Sequence, residues 1–298
     1  MHPRELKEAY DRGENIAKLL KRIGSRETNS EEIIEVAYDL QAGSYIEALQ
    51  SPEMLSHKKC YGKAVAEEIL NLTSPSSLME AGVGEGTTLS FVLDQFENTI
   101  PHTHGFDISW SRIACCRSWL MKSGHPEAFL SVASILHIPY VDSCFDVVYT
   151  SHTIEPNGGK EAEILAELYR VASRFLILLE PAYELAEDRA KRRMEEHGYC
   201  RGLVAHAEAM GMRVLRHEIF SQTADSLNPT AITIIEKNSS AEAAAPRLAC
   251  PKFREPLEIN DDSFFCPSSL NAYPRILGIP CLRPEDAVVA SRYNQEMD

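Results

Sequence analysis

The chain has 298 residues, of which 44% are hydrophobic and 25% charged, a composition typical of a globular protein with a substantial core. Acidic residues outnumber basic ones by 44 to 30, and the resulting net charge of −14 disfavours a broad phosphate-binding surface, so we expect no nucleic-acid partner. No apolar run approaches the roughly 18 residues that cross a bilayer, and the first residues lack the apolar core of a signal peptide, which predicts a cytoplasmic protein with no membrane partner.

Residues 1–55 predict a helical N-terminal segment. Apolar residues recur at helical spacing through its first half. A second helical pattern runs from Ser30 to about Ala48, and Asn29 or Ser30 suits the N-cap position before it. We expect this segment to precede a separate main domain.

The main domain is predicted over residues 56–238, where short apolar segments alternate with longer helical ones. This alternation predicts a parallel sheet with crossover helices. Strands are predicted near 77–81, 103–107, 128–132, 144–149 and 174–180, with helices near 60–71, 86–96, 109–123 and 159–172. The last two strands, near 212–220 and 230–237, are joined by about nine residues, which suits an antiparallel hairpin better than a crossover. The predicted fold is a Rossmann-like α/β sheet, mostly parallel, with a final antiparallel hairpin.

The chain then changes composition. Residues 239–247 are small and polar and end near a proline, which predicts a linker. Residues 248–298 are predicted to form a small C-terminal domain.

The strongest local signal is a glycine-rich turn after the first predicted strand. Glu80 ends the strand, and Gly82, Gly84 and Gly86 follow at every second position before a helix opens. Glycine at such a turn permits positive φ and lets a ligand approach main-chain amides. The pattern E-x-G-x-G-x-G differs from the dinucleotide fingerprint G-x-G-x-x-G. A turn of another nucleotide-binding fold remains the alternative from the turn alone.

This pattern resembles motif I of class I S-adenosylmethionine (SAM)-dependent methyltransferases, and the resemblance covers roughly residues 56–238. It implies SAM as cofactor, with the glycine loop under its methionine part and Glu80 close to that part. Asp107 ends the second predicted strand, where a carboxylate can accept both ribose hydroxyl protons. Asp107 also suits the N-cap of the next helix, and the two roles are compatible. The neighbouring Ile108 is predicted to contact the cofactor as well.

The third and fourth predicted strands carry the resemblance further, because Pro139, Tyr140, Asp142 and residues 145–148 match the family pattern. One departure concerns the adenine. In the family an acidic residue usually contacts the adenine amino group. Ser134 occupies that position here, and its hydroxyl can still accept a hydrogen bond. The Ile135 backbone amide is predicted to meet the ring.

Candidate catalytic and acceptor-binding residues follow the fourth strand. In the family this edge faces the methyl group, so Ser151 is predicted as a cofactor contact. His152 is the candidate general base, because its ordinary pKa lies near neutrality. The alternative is that His152 only packs near the methionine part of SAM. Glu155 and Asn157 lie in a polar, turn-rich stretch predicted to form part of the acceptor pocket.

Further acceptor contacts are predicted after the fifth strand. Glu180 and Tyr183 are predicted to lie at the carboxyl edge of the sheet, where open α/β folds bind ligands. Arg193 and His197 are four residues apart on one helical face and suit an acidic acceptor. A solvated charged face explains the same pattern.

The stretch 37–49 resembles the helix that covers the cofactor in many small-molecule methyltransferases. The resemblance places Tyr45 over the methionine part of SAM. A buried amphipathic helix explains most of the same pattern.

The C-terminal segment resembles the short zinc-ribbon family that partners tRNA- and rRNA-modifying methyltransferases. Cys250-Pro251 and Cys266-Pro267 keep the first half of each C-P-x-C knuckle, but Phe253 and Ser269 occupy the second ligand positions. Even with Cys281 the set falls short of the four ligands of a structural zinc site, so we expect no metal.

We expect this degenerate ribbon to pack on the catalytic domain or to mediate a homodimer. Residues 239–298 contain six basic and nine acidic residues, which does not suit an RNA-binding surface. The predicted apolar contacts of the ribbon are Leu257, Phe264, Phe265, Tyr273 and Ile276. The eight cysteines of the chain are too sparse for a disulfide scaffold, and we expect most of them reduced and buried.

The leading functional prediction is methyl transfer from SAM to a small-molecule acceptor, such as a glycan precursor or a secondary metabolite. O-methylation is favoured over N-methylation. The alternatives are an RNA or protein methyltransferase that uses the ribbon for recognition, a non-catalytic SAM-fold binding protein, and a Rossmann-like enzyme that uses another nucleotide.

Overall fold

The structure is a computed structural model that describes residues 2–25, 28–96, 100–237 and 245–293. The chain begins with helices that precede the first strand: α1 (Pro3–Asp11), α2 (Ile16–Ile23), α3 (Glu31–Leu40), α4 (Ser44–Ala48) and α5 (Pro52–Leu72). Ser30 and Ser51 cap α3 and α5 with their side-chain oxygens, and Pro52 starts α5 at a position that needs no N–H donor. None of the described helices is both long and apolar enough to cross a membrane.

The central sheet has the order β3-β2-β1-β4-β5-β7-β6. Its strands are β1 (Ser77–Ala81), β2 (His102–Asp107), β3 (Phe129–Val132), β4 (Phe145–Ser151), β5 (Ala172–Pro181), β6 (Arg213–Ile219) and β7 (Thr230–Glu236). Strands β1 to β5 are parallel, and β7 runs antiparallel to both β5 and β6. The Rossmann-like fold and its antiparallel final hairpin are therefore confirmed.

Helices between the strands cover both faces of this sheet: α6 (Thr87–Leu93), α7 (Trp110–Lys122), α8 (Glu161–Val171), α9 (Asp188–His197) and α10 (Leu203–Ala209). Apolar side chains of α5, α6 and α7 pack on one face, and those of α8 and α10 pack on the other. Every residue of β1 is buried, as expected for a central parallel strand. Each fully buried Leu or Ile in these layers contributes about 1.5–3 kcal/mol to stability.

The last described segment, residues 245–293, is called here the C-terminal unit. It is a small antiparallel sheet of β8 (Glu258–Ile259), β9 (Ser263–Cys266), β10 (Asn271–Ile276), β11 (Ile279–Pro280) and β12 (Val288–Val289). The order is β11-β10-β9-β8, and β12 pairs with β10. The stretch 239–244, most of the predicted linker, lies outside the described residues.

The C-terminal unit packs directly on the central sheet. Cys281 forms a parallel bridge with Val132 of the edge strand β3, and the Leu282 amide donates to the Val132 carbonyl at 2.8 Å. In a second contact, the Ala249 amide donates to the Pro139 carbonyl at 2.9 Å. Leu257, Phe264 and Tyr273 of the unit join the same apolar core as α8 and α10.

One predicted core contact of the C-terminal unit is wrong. Ile276 is 50% exposed, because it ends β10 at the tight turn to β11 and points away from the core. Phe265 is buried and stacks on Tyr293 with a centroid distance of 4.2 Å. All eight cysteines are free thiols, and the described residues contain no cluster of three or more His, Cys, Asp or Glu side chains arranged for a metal ion.

Candidate functional site

A cavity of about 260 Å³ opens at the carboxyl ends of β1, β2 and β4. Helices α3 and α4, called here the lid segment, and α5 cover it with Ile34, Tyr38, Tyr45 and Lys58. Most predicted cofactor contacts line this cavity: Tyr45, Glu80, Gly82, Gly84, Asp107, Ile108, Ile135 and Ser151. Gly86 and Ser134 lie just outside it.

The glycine turn leaves little room for side chains. Gly82, Gly84 and Gly86 have φ of +71°, +54° and +72°, a region in which other residues are strained. A Cβ on Gly82 would lie 2.0 Å from Thr153 Cγ2, and one on Gly86 would lie 2.6 Å from a cysteine sulfur of α7. Gly86 therefore serves the packing of the turn, whereas Gly84 faces the cavity.

A buried carboxylate, Glu80, and a half-buried one, Asp107, flank this turn. Glu80 accepts a 2.7 Å hydrogen bond from the Tyr149 hydroxyl. Burial raises the pKa of Glu80 to about 8, although the Tyr149 hydrogen bond and the positive charge of Lys58 oppose the increase. Asp107 accepts hydrogen bonds from the Gly84 amide at 3.0 Å and the Ser109 amide at 2.9 Å. It therefore fixes both the glycine turn and the residue that precedes α7. Burial also raises the pKa of Asp107.

Arg112 is a cavity residue that the sequence analysis missed. Its side chain is 2% exposed, with the guanidinium 4.8 Å from the ring centroid of Tyr38 and 4.3 Å from that of Tyr45. Its Nε donates to the Tyr38 carbonyl at 3.0 Å, while Nη2 is buried without a hydrogen-bond partner in the described structure. The sequence feature that could have indicated Arg112 is a basic residue on the face of α7 that is turned inward.

Carboxylates fix the lid segment over the cavity. Glu85, inside the glycine turn, accepts the amides of Gly43, Tyr45 and Ile46 at 2.8–3.3 Å. Such a carboxylate at a helix N-terminus satisfies donors that have no partner within the helix. The turn that borders the cavity therefore also positions Tyr45.

The rest of the lid segment is held in the same way. Asp39 accepts the Ser109 hydroxyl at 2.7 Å and both the amide and hydroxyl of Ser111 at 3.0 Å. Glu31 accepts the Ser134 hydroxyl, which gives the predicted adenine-site residue a partner in the lid segment. Glu35 forms a 2.5 Å ion pair with Arg283 of the C-terminal unit. The partners in each of these contacts lie far apart in sequence, so no local sequence pattern could predict the contacts.

His152 follows β4 in an unusual backbone conformation, with φ of +56°. A non-glycine residue in this region costs about 1–2 kcal/mol. Its Nδ1 lies 2.5 Å from Glu155 Oε2 and its Nε2 lies 2.8 Å from Thr230 Oγ1. Burial alone lowers the pKa of His152, but the hydrogen bond and charge of Glu155 outweigh it and raise the pKa above its usual value. The pair has the geometry of a histidine oriented by a carboxylate.

Glu180 holds the strained loop after His152. One of its oxygens accepts the amides of Thr153 and Ile154 at 3.0 and 3.1 Å, and the other accepts the Glu155 amide at 3.1 Å. Glu180 is 1% exposed and does not line the cavity. Its carboxylate is turned to the main chain of the loop.

Comparison with known proteins identifies the central part of this fold. The family described as a methyltransferase domain matches residues 78–174, about a third of the chain, including the glycine turn, Asp107 and His152. The protein contains a methyltransferase domain. It is accordingly an enzyme of the methyltransferase class, as the sequence predicted.

Solved structures agree with this fold at low sequence identity. The magnesium protoporphyrin IX methyltransferase from Synechocystis, solved with bound S-adenosylhomocysteine (SAH), has 12% identity and a TM-score of 0.52 over 70% of this chain and 100% of its own. A chain from the complex of the Haloferax volcanii Trm112 methyltransferase activator with a methyltransferase has 12% identity and a TM-score of 0.50, with 66% and 96% coverage. A SAM-dependent methyltransferase from Aquifex aeolicus has 20% identity and a TM-score of 0.46, with 64% and 97% coverage.

The cavity of the methyltransferase domain suits SAM chemically. Carboxylates that can meet the ammonium and ribose hydroxyls stand beside a turn whose amides are open to a ligand. The unpartnered Nη2 of Arg112 is a donor without an acceptor in the described structure. A buried donor of this kind favours a ligand that supplies the acceptor.

The predicted acceptor contacts divide into two groups. Asn157 lines the cavity of the methyltransferase domain, and Glu155 adjoins it through His152. Tyr183, Arg193 and His197 do not line it. The Tyr183 hydroxyl donates to Glu195, Arg193 lies 3.7 Å from Asp225, and His197 Nδ1 donates to the Arg193 carbonyl.

Proposed function

We propose that the protein transfers the methyl group of SAM to a hydroxyl of a small-molecule acceptor. The observation that carries the proposal is the enclosure of the site. The lid segment closes the cavity through Glu85, Asp39 and Glu31, each hydrogen-bonded to another element. A site under such a fixed cover suits a small acceptor better than an RNA or protein surface. Such an enzyme needs no membrane, and we retain the cytoplasm as its expected location.

The cofactor would be held by the residues that line the glycine turn. Asp107 is suited to the ribose hydroxyls and Glu80 to the ammonium, with Tyr45 as cover. Ile108 and Ile135 offer apolar contact and a backbone amide to the adenine, and Ser134 borders that end. SAM supplies an electrophilic methyl group on a sulfonium, so the protein must chiefly orient the acceptor and exclude water.

His152 and Glu155 supply the base that a hydroxyl acceptor requires. With Nδ1–H donating to Glu155, Nε2 is left with its lone pair, which Thr230 engages at 2.8 Å. An acceptor hydroxyl that replaces Thr230 on Nε2 can give its proton to the ring as it attacks the methyl group. The raised pKa strengthens His152 as a base, and Glu155 stabilises the imidazolium that forms. This pair favours O-methylation over N-methylation, because a neutral amine needs no such base.

The first experiment measures SAH binding by calorimetry and then methyl transfer. Asp107→Ala should weaken SAH binding by more than tenfold, while Asp94→Ala, an exposed carboxylate at the end of α6, should not. Radiolabelled SAM is then incubated with a fractionated cell extract. Label in the small-molecule fraction supports the proposal; label confined to RNA or protein would overturn it in favour of a macromolecular acceptor recognised with the help of the C-terminal unit.

Once an acceptor is found, the proton step is tested with Glu155→Gln. Loss of the carboxylate should lower kcat by about 10²–10⁴-fold and move the rising limb of the pH–rate profile to lower pH, because the pKa of His152 falls. An unchanged profile would exclude the pair from proton transfer. Thr230→Val leaves Nε2 free and should retain most of the activity.

A further inference from the structure

Glu155, the carboxylate partner of His152, is held by a donor to which the mechanism above gives no role. Asn228, in the loop between β6 and β7, donates from Nδ2 to Glu155 Oε2 at 3.2 Å. His152 Nδ1 lies 2.5 Å from the same oxygen. Because both donors share one oxygen, Asn228 acts directly on the atom that orients the imidazole ring.

The charge of Glu155 fixes the orientation of the Asn228 amide. Burial raises the pKa of Glu155, but the hydrogen bond and charge of His152 outweigh it and lower the pKa, and hydrogen bonds from Tyr199 and Asn228 add to this effect. An ionised carboxylate only accepts hydrogen bonds, so the amide must present its NH2 group to Glu155. Its Oδ1 is buried and has no hydrogen-bond partner within the part of the chain that the structure describes. The bond to Glu155 therefore sets this orientation by itself.

Asn228 belongs to a closed turn that is fastened to a helix. The Asp225 side chain accepts the Leu227 amide at 2.8 Å, and the Asp225 carbonyl accepts the Asn228 amide at 3.0 Å. Arg193 of α9 donates to the Leu227 carbonyl at 3.4 Å and lies 3.7 Å from the Asp225 carboxylate. The amide that meets Glu155 thus stands on a fixed support.

From this arrangement we propose that Asn228 is a positioning residue for the base. By holding Glu155 Oε2 against Nδ1, it keeps the proton of the neutral imidazole on Nδ1 and leaves the Nε2 lone pair for the acceptor hydroxyl. Thr230 Oγ1, 2.8 Å from Nε2, can donate to that lone pair until the acceptor replaces it. The inference rests on the proposed base pair and adds the residue that selects its tautomer.

The test measures the tautomer of His152 by ¹⁵N NMR of the full chain labelled at histidine. His152→Gln identifies the signals of this ring among the ten histidines. At about pH 9, well above the ordinary histidine pKa, the Nδ1–H form should predominate in the unmodified protein. Asn228→Leu, which is close in size but has no donor, should lower the ratio of Nδ1–H to Nε2–H by about three- to tenfold, the factor that one hydrogen bond of ordinary net strength supports. Arg193→Met, which loosens the turn, should lower the ratio by a smaller factor.

Asn29→Leu is the matched control. The Asn29 amide donates to the Pro156 carbonyl at 2.9 Å, and its Oδ1 is likewise buried without a partner among the described residues. This variant therefore removes the same kind of bond from the same loop, one residue away from Glu155, but spares the carboxylate. The tautomer ratio should stay within about twofold of that of the unmodified protein. Thermal melting of each variant establishes that it is folded.

Two results would overturn the inference. An unchanged ratio in Asn228→Leu would mean that Glu155 keeps its place without the amide. Equal shifts in Asn228→Leu and Asn29→Leu would mean that the ratio reports only a general loosening of the loop. A shift confined to Asn228→Leu and Arg193→Met, in a protein that labels no small molecule, would instead refute the proposed function and leave the role of Asn228 supported.

Discussion

The raised pKa of Glu80 predicts that cofactor binding releases a proton. With a pKa of about 8, Glu80 is about 97% protonated in the free protein at pH 6.5. A ligand ammonium placed against it favours the carboxylate, so close to one proton should leave per SAH bound. The α-amino group of the ligand, with a pKa of about 7.7–8.0, is already protonated at this pH and contributes little. Binding should therefore tighten by nearly tenfold for each pH unit from 6 to 7.

The assay is calorimetry at pH 6.5 in buffers of different ionisation enthalpy, which gives the number of protons released. Glu80→Gln should release about one proton fewer than the unmodified protein, and the difference should shrink to about 0.1 at pH 9. Glu67→Gln, an exposed carboxylate on α5, should match the unmodified protein. Equal release by the unmodified protein and Glu80→Gln would refute the reasoning, since either Glu80 is ionised before binding or the ligand ammonium lies elsewhere.

Gly82→Ala should destabilise the fold by at least about 2 kcal/mol in urea unfolding and abolish SAH binding, because left-handed backbone strain is added to a clash with Thr153. A Cβ at Gly84 makes no such clash, so Gly84→Ala should be destabilised only by the left-handed backbone strain. Equal losses of stability in the two variants would contradict the steric argument. Glu35→Gln removes the half-exposed ion pair between the lid segment and the C-terminal unit, worth up to about 1 kcal/mol. Amide hydrogen exchange in α3 should accelerate by about two- to fivefold, and Glu32→Gln, which is exposed on the same helix, should leave exchange unchanged.

The central sheet was predictable because each strand carries its own signal. The predicted strand near 77–81 coincides with β1, and the short link between the last two strands correctly indicated an antiparallel pair. The start of α5 was placed eight residues too late, at 60 instead of Pro52. Its first two turns contain no fully buried residue, so apolar periodicity gives no indication of the helix there. The cap Ser51 and the proline after it were the usable signal.

The site was less predictable, because several of its contacts join distant segments. Glu85 and Asp39 look like ordinary turn and helix residues in sequence, yet each caps a helix of another segment. Tyr183 was placed at the acceptor by the sheet-edge argument, and Arg193 and His197 by their shared helical face, but the chain turns after β5 and all three lie outside the cavity. A rule about strand ends does not extend through a turn and a following helix.

The bridge between Cys281 and Val132 has a consequence for solubility. An open sheet has two edge strands, and an unpaired edge is a template for association with other chains. Here one edge, β3, is covered by the chain's own C-terminal unit. The other edge, β6, carries charged and polar side chains in the run Arg213, Arg216, His217 and Glu218, which discourages pairing. The C-terminal unit thus shields the edge strand of the central sheet that lacks charged side chains of its own.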